Sequence, residues 1–384
     1  MRNWLLPEYT EDVLPAEAAR VEQVRRTLLD LFRLHGYQLV IPPMLEYLES
    51  LATGAGYDLD LATFKVVDQL TGRLMGVRAD ITPQAARIDA HLLNQQGVTR
   101  LCYAGSVLRT RPDGLAQTRE PLQVGAELFG HAGVESDVEI HRLMVQGLQA
   151  SGVRDLLIDF SHVGIFRTLV RRGNIGKALE QDLYGALQSK DKSALQELTK
   201  DLDKEVRQAL LTLTDLNGGE EILQAAQERL PLYAEVKQAL LDLRRASGQL
   251  ADLGVEVSFD LAELRGYHYH SGMVFAAYAQ GFSGPLALGG RYDEVGSAFG
   301  RARPATGFSL DLRGLLTALE AATATSGILA PYAEDAELRD VIAALRATGE
   351  VVVVDLPGHE AHQAELGCDR KLIKQGATWE VVSI

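Results

Sequence analysis

The sequence predicts an α+β fold in which one large antiparallel sheet is flanked by helices, interrupted by a helical insertion and followed by a small C-terminal α/β unit. Two observations indicate the sheet: a hairpin and a strand pair lie in the first 130 residues, and more strands follow residue 250. In addition, strict strand–helix alternation is missing, which argues against a doubly wound parallel sheet. With 384 residues, the chain is long enough for two or three domains.

The chain begins with a helix, a short strand and a hairpin. Residues 15–35 place apolar side chains at helical spacing, and Gly36 is positioned to cap this helix. The segment "YQLVIPP" is typical of a strand that ends at its two prolines. The segment "FKVVDQLTGRLMGVRAD" alternates around Thr71-Gly72, which predicts a β-hairpin.

A helix, a strand pair and another helix follow. Thr82 as N-cap and Pro83 at the first helical position predict a helix over "ITPQAARIDAHLL". The segments "RLCYAGSVLRT" and "EPLQVGAELFG" predict two strands joined by a polar loop. Ser136 and Glu139 have the spacing of a capping box, so a helix is predicted from there to about residue 150.

The stretch from about 165 to 250 is predicted to be a helical insertion, because it is rich in Leu, Ala, Lys and Glu and contains a single proline after residue 165. Strands return with "VEVSFDLA", "HSGMVFAAYA" and "GPLALGG", and residues 310–322 are predicted to be helical. The tail predicts a helix near 336–347 and the strands "EVVVVD" and "WEVVSI". We therefore expect a main domain over 1–322 and a C-terminal α/β domain over 323–384.

Composition excludes several classes of protein. No apolar run approaches the ~18 residues that a membrane span requires, and the N-terminus lacks the apolar core of a signal peptide. Two cysteines far apart suggest no disulfide framework, so a reducing cytoplasm is expected. The net charge of −14 argues against a broad surface for nucleic acid.

Polar residues at the predicted strand ends form a candidate ligand site. Gln123 and Glu127 are four apart on one strand and therefore share a face, and the others lie at strand ends or turns: Asp80, Thr82, Arg109, Arg265, Tyr292 and Asp293. Carboxylates and arginines together suit a zwitterionic ligand. Each residue taken singly also has a structural interpretation as a helix cap, an ion pair or a bulge.

Other motifs do not indicate a metal or nucleotide site. His268 and His270 would share a strand face, but no third ligand accompanies them, so a structural role is expected. The sequence contains no P-loop and no G-x-S-x-G elbow. We expect neither a metal nor a cofactor.

Six ordered segments resemble the catalytic core of histidyl-tRNA synthetase, a class II aminoacyl-tRNA synthetase. "VIPPMLE", "YAGSVLRTR…QVGAELFG" and "PATGFSLDLRGL" are similar to motifs 1, 2 and 3 of the class. "VRADIT", "RGYHYHSGMVF" and "ALGGRYDEV" are similar to the R-P-E-G-T, R-G-L-D-Y-Y and A-G-G-R-Y-D signatures of the synthetase. Together these segments cover roughly residues 5–320, and motif 1 implies a homodimer core.

The resemblance implies a histidine site. Matched by motif position, Asp80, Thr82, Gln123 and Glu127 would contact the amino group and side chain of histidine. Arg109 matches the motif 2 arginine, and Arg265 matches an arginine that assists histidine activation. Tyr269 and Tyr292 would line the imidazole pocket, with Gly289-Gly290 as its floor.

The sequence departs from the synthetase at positions that bind ATP. Gly314 stands where motif 3 has its arginine, and Arg313 lies one position early, about 100° around a helix. Arg111 and Pro121 replace the adenine-contacting glutamate and phenylalanine, and Gln117 replaces a basic residue. His270 replaces the second tyrosine of the Y-Y pair. Losing groups that position and neutralise phosphates predicts a loss of catalysis.

With its short C-terminal region, this pattern resembles a family of synthetase paralogues, the regulatory subunits of ATP phosphoribosyltransferase. The resemblance implies a non-catalytic subunit that is required by a short catalytic partner in the first step of histidine biosynthesis and that helps transmit feedback inhibition by histidine. It also implies that tRNA is not a partner. Two alternatives remain: a histidine-activating enzyme and a stand-alone histidine sensor.

Overall fold

The computed structural model describes residues 4–52, 56–112, 118–319 and 327–384. The chain forms two compact units, Met1–Leu319 and Glu320–Ile384. The helices of the first unit are α1 Pro15–Leu34, α2 Leu48–Ala52, α3 Gly56–Ala62, α4 Thr82–Arg87, α5 Val134–Ala150, α6 Val163–Arg172, α7 Lys177–Gln188, α8 Lys192–Leu198, α9 Lys204–Leu213, α10 Glu221–Arg229, α11 Ala234–Gly248 and α12 Leu312–Thr317. Its strands are β1 Gln38–Leu39, β2 Leu45–Tyr47, β3 Phe64–Val67, β4 Leu74–Val77, β5 Thr99–Ser106, β6 Leu122–Phe129, β7 Leu156–His162, β8 Asn217–Gly218, β9 Glu256–Asp260, β10 Met273–Ala279, β11 Ala287–Arg291 and β12 Ala305–Asp311.

A nine-stranded sheet forms the centre of this unit, with strand order β1-β5-β6-β12-β11-β10-β7-β9-β8. Its pairs are antiparallel except for β1 with β5 and β7 with β9. The prediction of one large antiparallel sheet flanked by helices is confirmed. A separate sheet of order β2-β4-β3 contains the hairpin that was predicted around Thr71-Gly72, where Gly72 has a φ of +73°.

Helices α1 and α5 pack on one face of the sheet and build the core there. Leu28 and Phe32 of α1 are fully buried, and the ring of Phe32 meets that of Phe308 on β12 edge-on at 5.8 Å. On α5, Ile140 and Met144 are also fully buried. The alternation of the strands sends one set of side chains into this core and leaves the opposite face of the sheet for the site.

The predicted helical insertion is present as α7 to α10, with α6 and α11 packed beside the sheet. It is not wholly helical, because Asn217 and Gly218 form the short edge strand β8 against β9. Helix α12 ends at Thr317, earlier than predicted, and residues 320–322 of that prediction lie outside the described residues.

Two predicted helix caps are wrong. Helix α4 begins at Thr82 itself, and the side chain of Asp80 accepts the Thr82 N–H at 3.0 Å. Helix α5 begins at Val134, which places Ser136 inside its first turn rather than at the N-cap. Glu139 instead accepts hydrogen bonds from Arg100 and Tyr37, at 2.6 and 3.0 Å. In both cases a distant residue is hydrogen-bonded to a side chain that local spacing assigned to a cap: Tyr103 to the hydroxyl of Thr82, and Arg100 to the carboxylate of Glu139.

The C-terminal unit has its own small core. Its sheet has the order β14-β13-β15-β16, formed by β13 Ile328–Pro331, β14 Val352–Asp355, β15 Arg370–Gln375 and β16 Thr378–Ser383, and its helix is α13 Ala336–Ala347. Ile328, Leu338 and Leu372 are buried between the helix and the sheet. The helix and the strands β14 and β16 were predicted; β13 and β15 were not, because "ILAP" is short and "RKLIKQ" is polar.

None of the described helices is both long enough and apolar enough to cross a membrane.

Candidate functional site

Strand register builds the candidate site around Glu127. Glu127 on β6 lies opposite Gly307 on β12, which in turn pairs with Gly290 on β11. A Cβ atom at Gly307 would lie 1.6 Å from Oε2 of Glu127, so only glycine leaves room for this carboxylate. Of the two glycines predicted to floor a pocket, only Gly290 faces this side; Gly289 faces Phe275 on the other.

Glu127 is a buried carboxylate held by two phenols. The hydroxyl of Tyr103 donates to Oε1 at 2.9 Å, and the hydroxyl of Tyr292 donates to Oε2. Thr82 and Tyr103 are hydrogen-bonded through their hydroxyls at 2.8 Å. Burial raises the pKa of Glu127 to about 8, although the hydrogen bonds from the phenols oppose this. The site can therefore offer a carboxylate or a carboxylic acid near neutral pH.

Asp80 and Gln123 are hydrogen-bonded to each other beside this cluster. The amide nitrogen of Gln123 donates to Oδ1 of Asp80 at 2.7 Å, and its amide oxygen accepts the Ile81 N–H at 2.9 Å. The same Asp80 oxygen accepts the Thr82 N–H. The structure therefore brings Asp80, Thr82, Gln123 and Glu127 together, as the sequence predicted.

Two stacked phenols form one wall. The rings of Tyr269 and Tyr292 are stacked with their centroids 5.1 Å apart and their planes inclined by 30°, and His270 meets Tyr269 edge-on at 5.2 Å. The hydroxyl of Tyr269 is buried and has no hydrogen-bond partner among the described residues. A polar group in this position is available to a ligand that enters the site.

The two predicted arginines lie in different places. Arg109 donates from Nε to the carbonyl oxygen of Ala79 at 3.3 Å, which puts it directly beside Asp80. Arg265 does not join the cluster. Its guanidinium donates to Glu263 at 3.3 Å and lines a second cavity with Tyr278.

Several supporting residues were missed in the sequence. Tyr103 lies within the motif 2 strand, two residues from Leu101 and on the same face, but nothing local indicated that it would hold Glu127. Arg291 was visible in the R-Y-D signature, yet it points away from the site. Its guanidinium is buried against Asp137, Ser136 and two carbonyl oxygens of the loop before α5.

The positions that bind ATP in the synthetase carry other residues in this chain, or their polar groups are hydrogen-bonded within the protein. Arg313 donates to Glu11 at 2.7 Å and to the carbonyl oxygen of Glu120 at 3.5 Å. The main-chain N–H of Gly314 is occupied by Asp311, the N-cap of α12. Gln117 lies outside the described residues.

The two histidines considered as metal ligands do not share a face, which corrects the prediction. They lie in a turn rather than a strand: His268 is exposed beside Gln181, whereas the His270 ring packs beside the main chain of Arg265. Burial lowers the pKa of His270 to about 4. Among the described residues, no cluster of His, Cys, Asp and Glu could hold a metal ion.

Comparisons with known proteins agree with this geometry. A family model described as histidyl-tRNA synthetase matches residues 9–315, and one described as ATP phosphoribosyltransferase subunit HisZ C-terminal domain matches residues 325–382. A protein of Methylobacillus flagellatus named ATP phosphoribosyltransferase regulatory subunit is 65% identical over 383 residues, covering 100% of this chain and 99% of its own. A protein of the same name from Nitrosospira multiformis is 54% identical over 386 residues, covering 99% and 98%.

Solved structures give the same result. A protein of Bacillus halodurans, described as an ATP phosphoribosyltransferase regulatory subunit/histidyl-tRNA synthetase, is 27% identical with a TM-score of 0.85, over 97% of this chain and 98% of its own. Histidyl-tRNA synthetase from Nostoc shares the fold, with a TM-score of 0.80 at 18% identity over 100% and 97% of the chains. On the strength of the full-length identity to its relatives, the chain belongs to the family of ATP phosphoribosyltransferase regulatory subunits, which are built on the histidyl-tRNA synthetase fold.

Proposed function

We propose that the protein is a non-catalytic regulatory subunit that a short catalytic subunit of ATP phosphoribosyltransferase requires for activity in the first step of histidine biosynthesis. Its relatives carry this name over the full length of the chain. The main support for the proposal is that the candidate amino-acid site is present while groups that would bind ATP are missing. The Glu127 cluster is assembled, while Arg313 is engaged by Glu11 and Gly314 has no side chain to grip a phosphate.

Histidine is the proposed ligand of the Glu127 cluster. A carboxylate flanked by phenols can accept the imidazole N–H, and Tyr269 offers an unpartnered hydroxyl in the same wall. Asp80 supplies a carboxylate for the amino group, and Thr82 a hydroxyl. Arg109, beside Ala79, supplies a cation for the α-carboxylate, whereas Arg265 would have to leave Glu263 to take part.

Histidine bound in this cluster would transmit feedback inhibition only by favouring one state of the complex with the catalytic partner. A ligand with equal affinity for both states does not shift the equilibrium between them, however tightly it binds. The Tyr269 wall, with its buried hydroxyl, is one element that would contact such a ligand. The proposal therefore requires that histidine and the partner subunit affect each other's affinity by the same factor.

A homodimer is proposed through the apolar edge patch, which we define as Leu39, Ile41, Met44 and Leu45. Leu39 lies on β1, the edge strand of the central sheet, and Leu45 begins β2, an edge strand of the separate sheet, with Ile41 and Met44 between them in the chain. Each of the four side chains is exposed, Ile41 by 84%. Exposed apolar side chains on a sheet edge favour pairing with another chain. The patch coincides with the segment that resembles the dimer-forming motif 1.

We propose a division at residues 322/323, a cytoplasmic location, and no tRNA partner or cofactor. The two family models end and begin at residues 315 and 325, which supports the division. The net charge of −14 disfavours a nucleic-acid surface.

The test is the rate of phosphoribosyl-ATP formation by the short catalytic subunit of the same organism, with and without this protein and with histidine titrated in. Stimulation that histidine reverses supports the proposal. The Glu127→Gln variant should keep stimulation and lose the response to histidine, whereas the exposed control Glu197→Gln should behave as wild type. Absence of stimulation, or histidine-dependent ATP–pyrophosphate exchange by the protein alone, would contradict the non-catalytic role.

A further inference from the structure

A second cavity lies on the same face of the central sheet as the Glu127 cluster. Its volume is about 140 Å³, and it opens between the strands β7, β10 and β11 and the segment before β10. Apolar walls from Val274 and Leu288 surround a few polar groups, which are Asp159, Ser161, Glu263, Arg265, His270 and Tyr278. Apolar walls with a few convergent polar groups are the usual features of a small-molecule site, and the volume limits the ligand to a small one.

The cavity is separate from the Glu127 cluster. Strand register places one row of residues across the sheet, in the order Ser161, Val274, Gly290, Gly307 and Glu127. Neighbouring strands are about 4.8 Å apart, so the four spacings put Ser161 about 19 Å from Glu127. A free amino acid held at Glu127 is too short to reach Ser161.

His270 divides the two compartments. A Cβ atom built on Gly290 would lie 2.6 Å from Cδ2 of His270, so the imidazole ring rests on the main chain in the middle of that row. The ring touches Tyr269 on one side and lines the second cavity on the other. The synthetase signature has a tyrosine at this position.

Ser161 supplies the observation that indicates a ligand. Its side chain is 1% exposed, and its hydroxyl has no hydrogen-bond partner among the described residues. Its neighbour on the same strand face, Asp159, accepts a hydrogen bond from Ser258 and also lines the cavity. A buried hydroxyl without a partner is costly, and a ligand atom in the cavity would remove that cost.

Arg265 supplies the opposite charge. Glu263 holds it in place, accepting its main-chain N–H at 2.7 Å and its guanidinium at 3.3 Å. A guanidinium has five N–H donors, so it can bind a ligand carboxylate while keeping this contact. The cavity thus presents both a cation, Arg265, and a carboxylate, Asp159, to a ligand.

We propose that this cavity binds a small zwitterion of the α-amino acid class, with its carboxylate on Arg265 and its ammonium on Asp159 and Ser161. Phosphorylated ligands are disfavoured, because two carboxylates line a cavity of about 140 Å³. A purely apolar ligand would leave Ser161 without a partner. The site does not depend on histidine binding at Glu127.

The probes are the free proteinogenic amino acids, including histidine, added singly to the full chain. Thermal denaturation identifies the ligands, and calorimetry gives their affinities. For at least one amino acid, we expect binding that survives Glu127→Gln and weakens about tenfold or more in Asp159→Asn, the loss of one charge-assisted contact. Ser161→Ala should weaken the same ligand while raising the melting temperature of the free protein, because it removes an unpaired buried hydroxyl.

Two results would overturn the proposal. One is that no amino acid at about 10 mM, enough to saturate a millimolar site, alters the melting temperature of the Glu127→Gln protein. The other is that the affinity of every amino acid that binds is unchanged in both Asp159→Asn and Ser161→Ala. If Asp159→Asn does not fold, Ser161→Ala still provides the test. The proposal that histidine binds at Glu127 would fail by a different result, which is that Glu127→Gln leaves the feedback by histidine unchanged.

Discussion

Arg167 donates from a single guanidinium nitrogen to the carbonyl oxygens of Tyr267 and His270, at 2.9 Å each. These two carbonyls flank Tyr269, whose ring stacks on Tyr292. Arg167 belongs to α6 and lies outside every synthetase-like motif. A residue remote from the motifs therefore fixes the turn that carries one wall of the candidate histidine pocket.

Replacing Arg167 should weaken histidine binding. Arg167→Met removes two hydrogen bonds from a charged donor, and we expect a loss of affinity of about tenfold, or 1.4 kcal/mol, because Tyr269 loses its fixed position. Calorimetry measures the affinity, and near-ultraviolet circular dichroism reports the tyrosine stack. Arg171→Met, one turn along α6 in an exposed pair with Glu235, is the matched control. Equal affinities in the two variants would refute the role of Arg167.

Histidine affinity should rise with pH through the titration of Glu127. Burial raises the pKa of this carboxyl to about 8, so the acceptor for the imidazole N–H is largely protonated below that value. Between about pH 7 and 8.5, where free imidazole is neutral, we expect up to tenfold tighter binding per pH unit, levelling off above about 8. Glu127→Gln should bind weakly and without this slope. A flat wild-type profile would contradict the assignment.

The raised pKa of Glu127 should make the free protein less stable as pH rises, although histidine affinity increases over the same range. Because the folded pKa of Glu127 lies above its ordinary value of 4.5, its contribution to the free energy of unfolding is present below that value and is lost as pH rises towards about 8. Because histidine should bind more tightly once Glu127 is ionised, it should stabilise the protein most at mildly alkaline pH. Thermal denaturation with and without histidine across this range checks both signs.

His141 should make the protein sensitive to acid. Its ring is buried between Phe160 and Phe275, and burial lowers its pKa from 6.5 to about 3. Its contribution to stability is present above pH 6.5 and is lost as pH falls, by up to about 1.4 kcal/mol per unit. In urea unfolding, His141→Leu should reduce this slope, and the exposed control His359→Leu should leave it unchanged. An unchanged slope in His141→Leu would show that other groups carry the acid response.

Removing the partner of Arg291 should destabilise the whole unit. The pair of Arg291 and Asp137 is buried, with a distance of 2.9 Å between Nη2 and Oδ2. Asp137→Ala leaves the buried guanidinium with the partly exposed Asp293, 3.3 Å away, as its other carboxylate partner, and we expect a loss of about 3 kcal/mol in the free energy of unfolding. The pair of Arg142 and the exposed Asp252 is the control, and Asp252→Ala should cost far less stability because water screens this pair. Similar losses for the two pairs would contradict this reading.

A charge in the apolar edge patch should yield monomers. Ile41→Asp places a carboxylate in the centre of the proposed dimer surface, where its desolvation opposes association. Light scattering after size exclusion measures the mass. Leu232→Asp, an equally drastic change on an exposed residue of the insertion, should leave the dimer intact. A dimer that survives Ile41→Asp would place the interface elsewhere.

Local pattern predicted most of the fold. Helices α1 and α13, the hairpin and the paired strands β5 and β6 lie close to their predicted positions, because helical periodicity, alternation and turn residues act over a few neighbours. Thr82 and Ser136 are the instructive errors. Both have good cap spacing, but the hydroxyl of Thr82 is hydrogen-bonded to that of Tyr103, and the hydroxyl of Ser136 accepts a hydrogen bond from Arg291. A tertiary contact replaced a local one in each case.

The sequence by itself determined the family, the sheet-with-insertion architecture and the shared face of Gln123 and Glu127, since strand alternation decides which side chains lie together. Only the tertiary structure decided which carboxylate is buried, that Arg265 belongs to a second cavity, and that Arg167 holds the Tyr269 turn. These contacts join residues about 100 or more positions apart in the chain. They depend on the order and register of nine strands, and on the low dielectric of the interior, neither of which short-range spacing encodes.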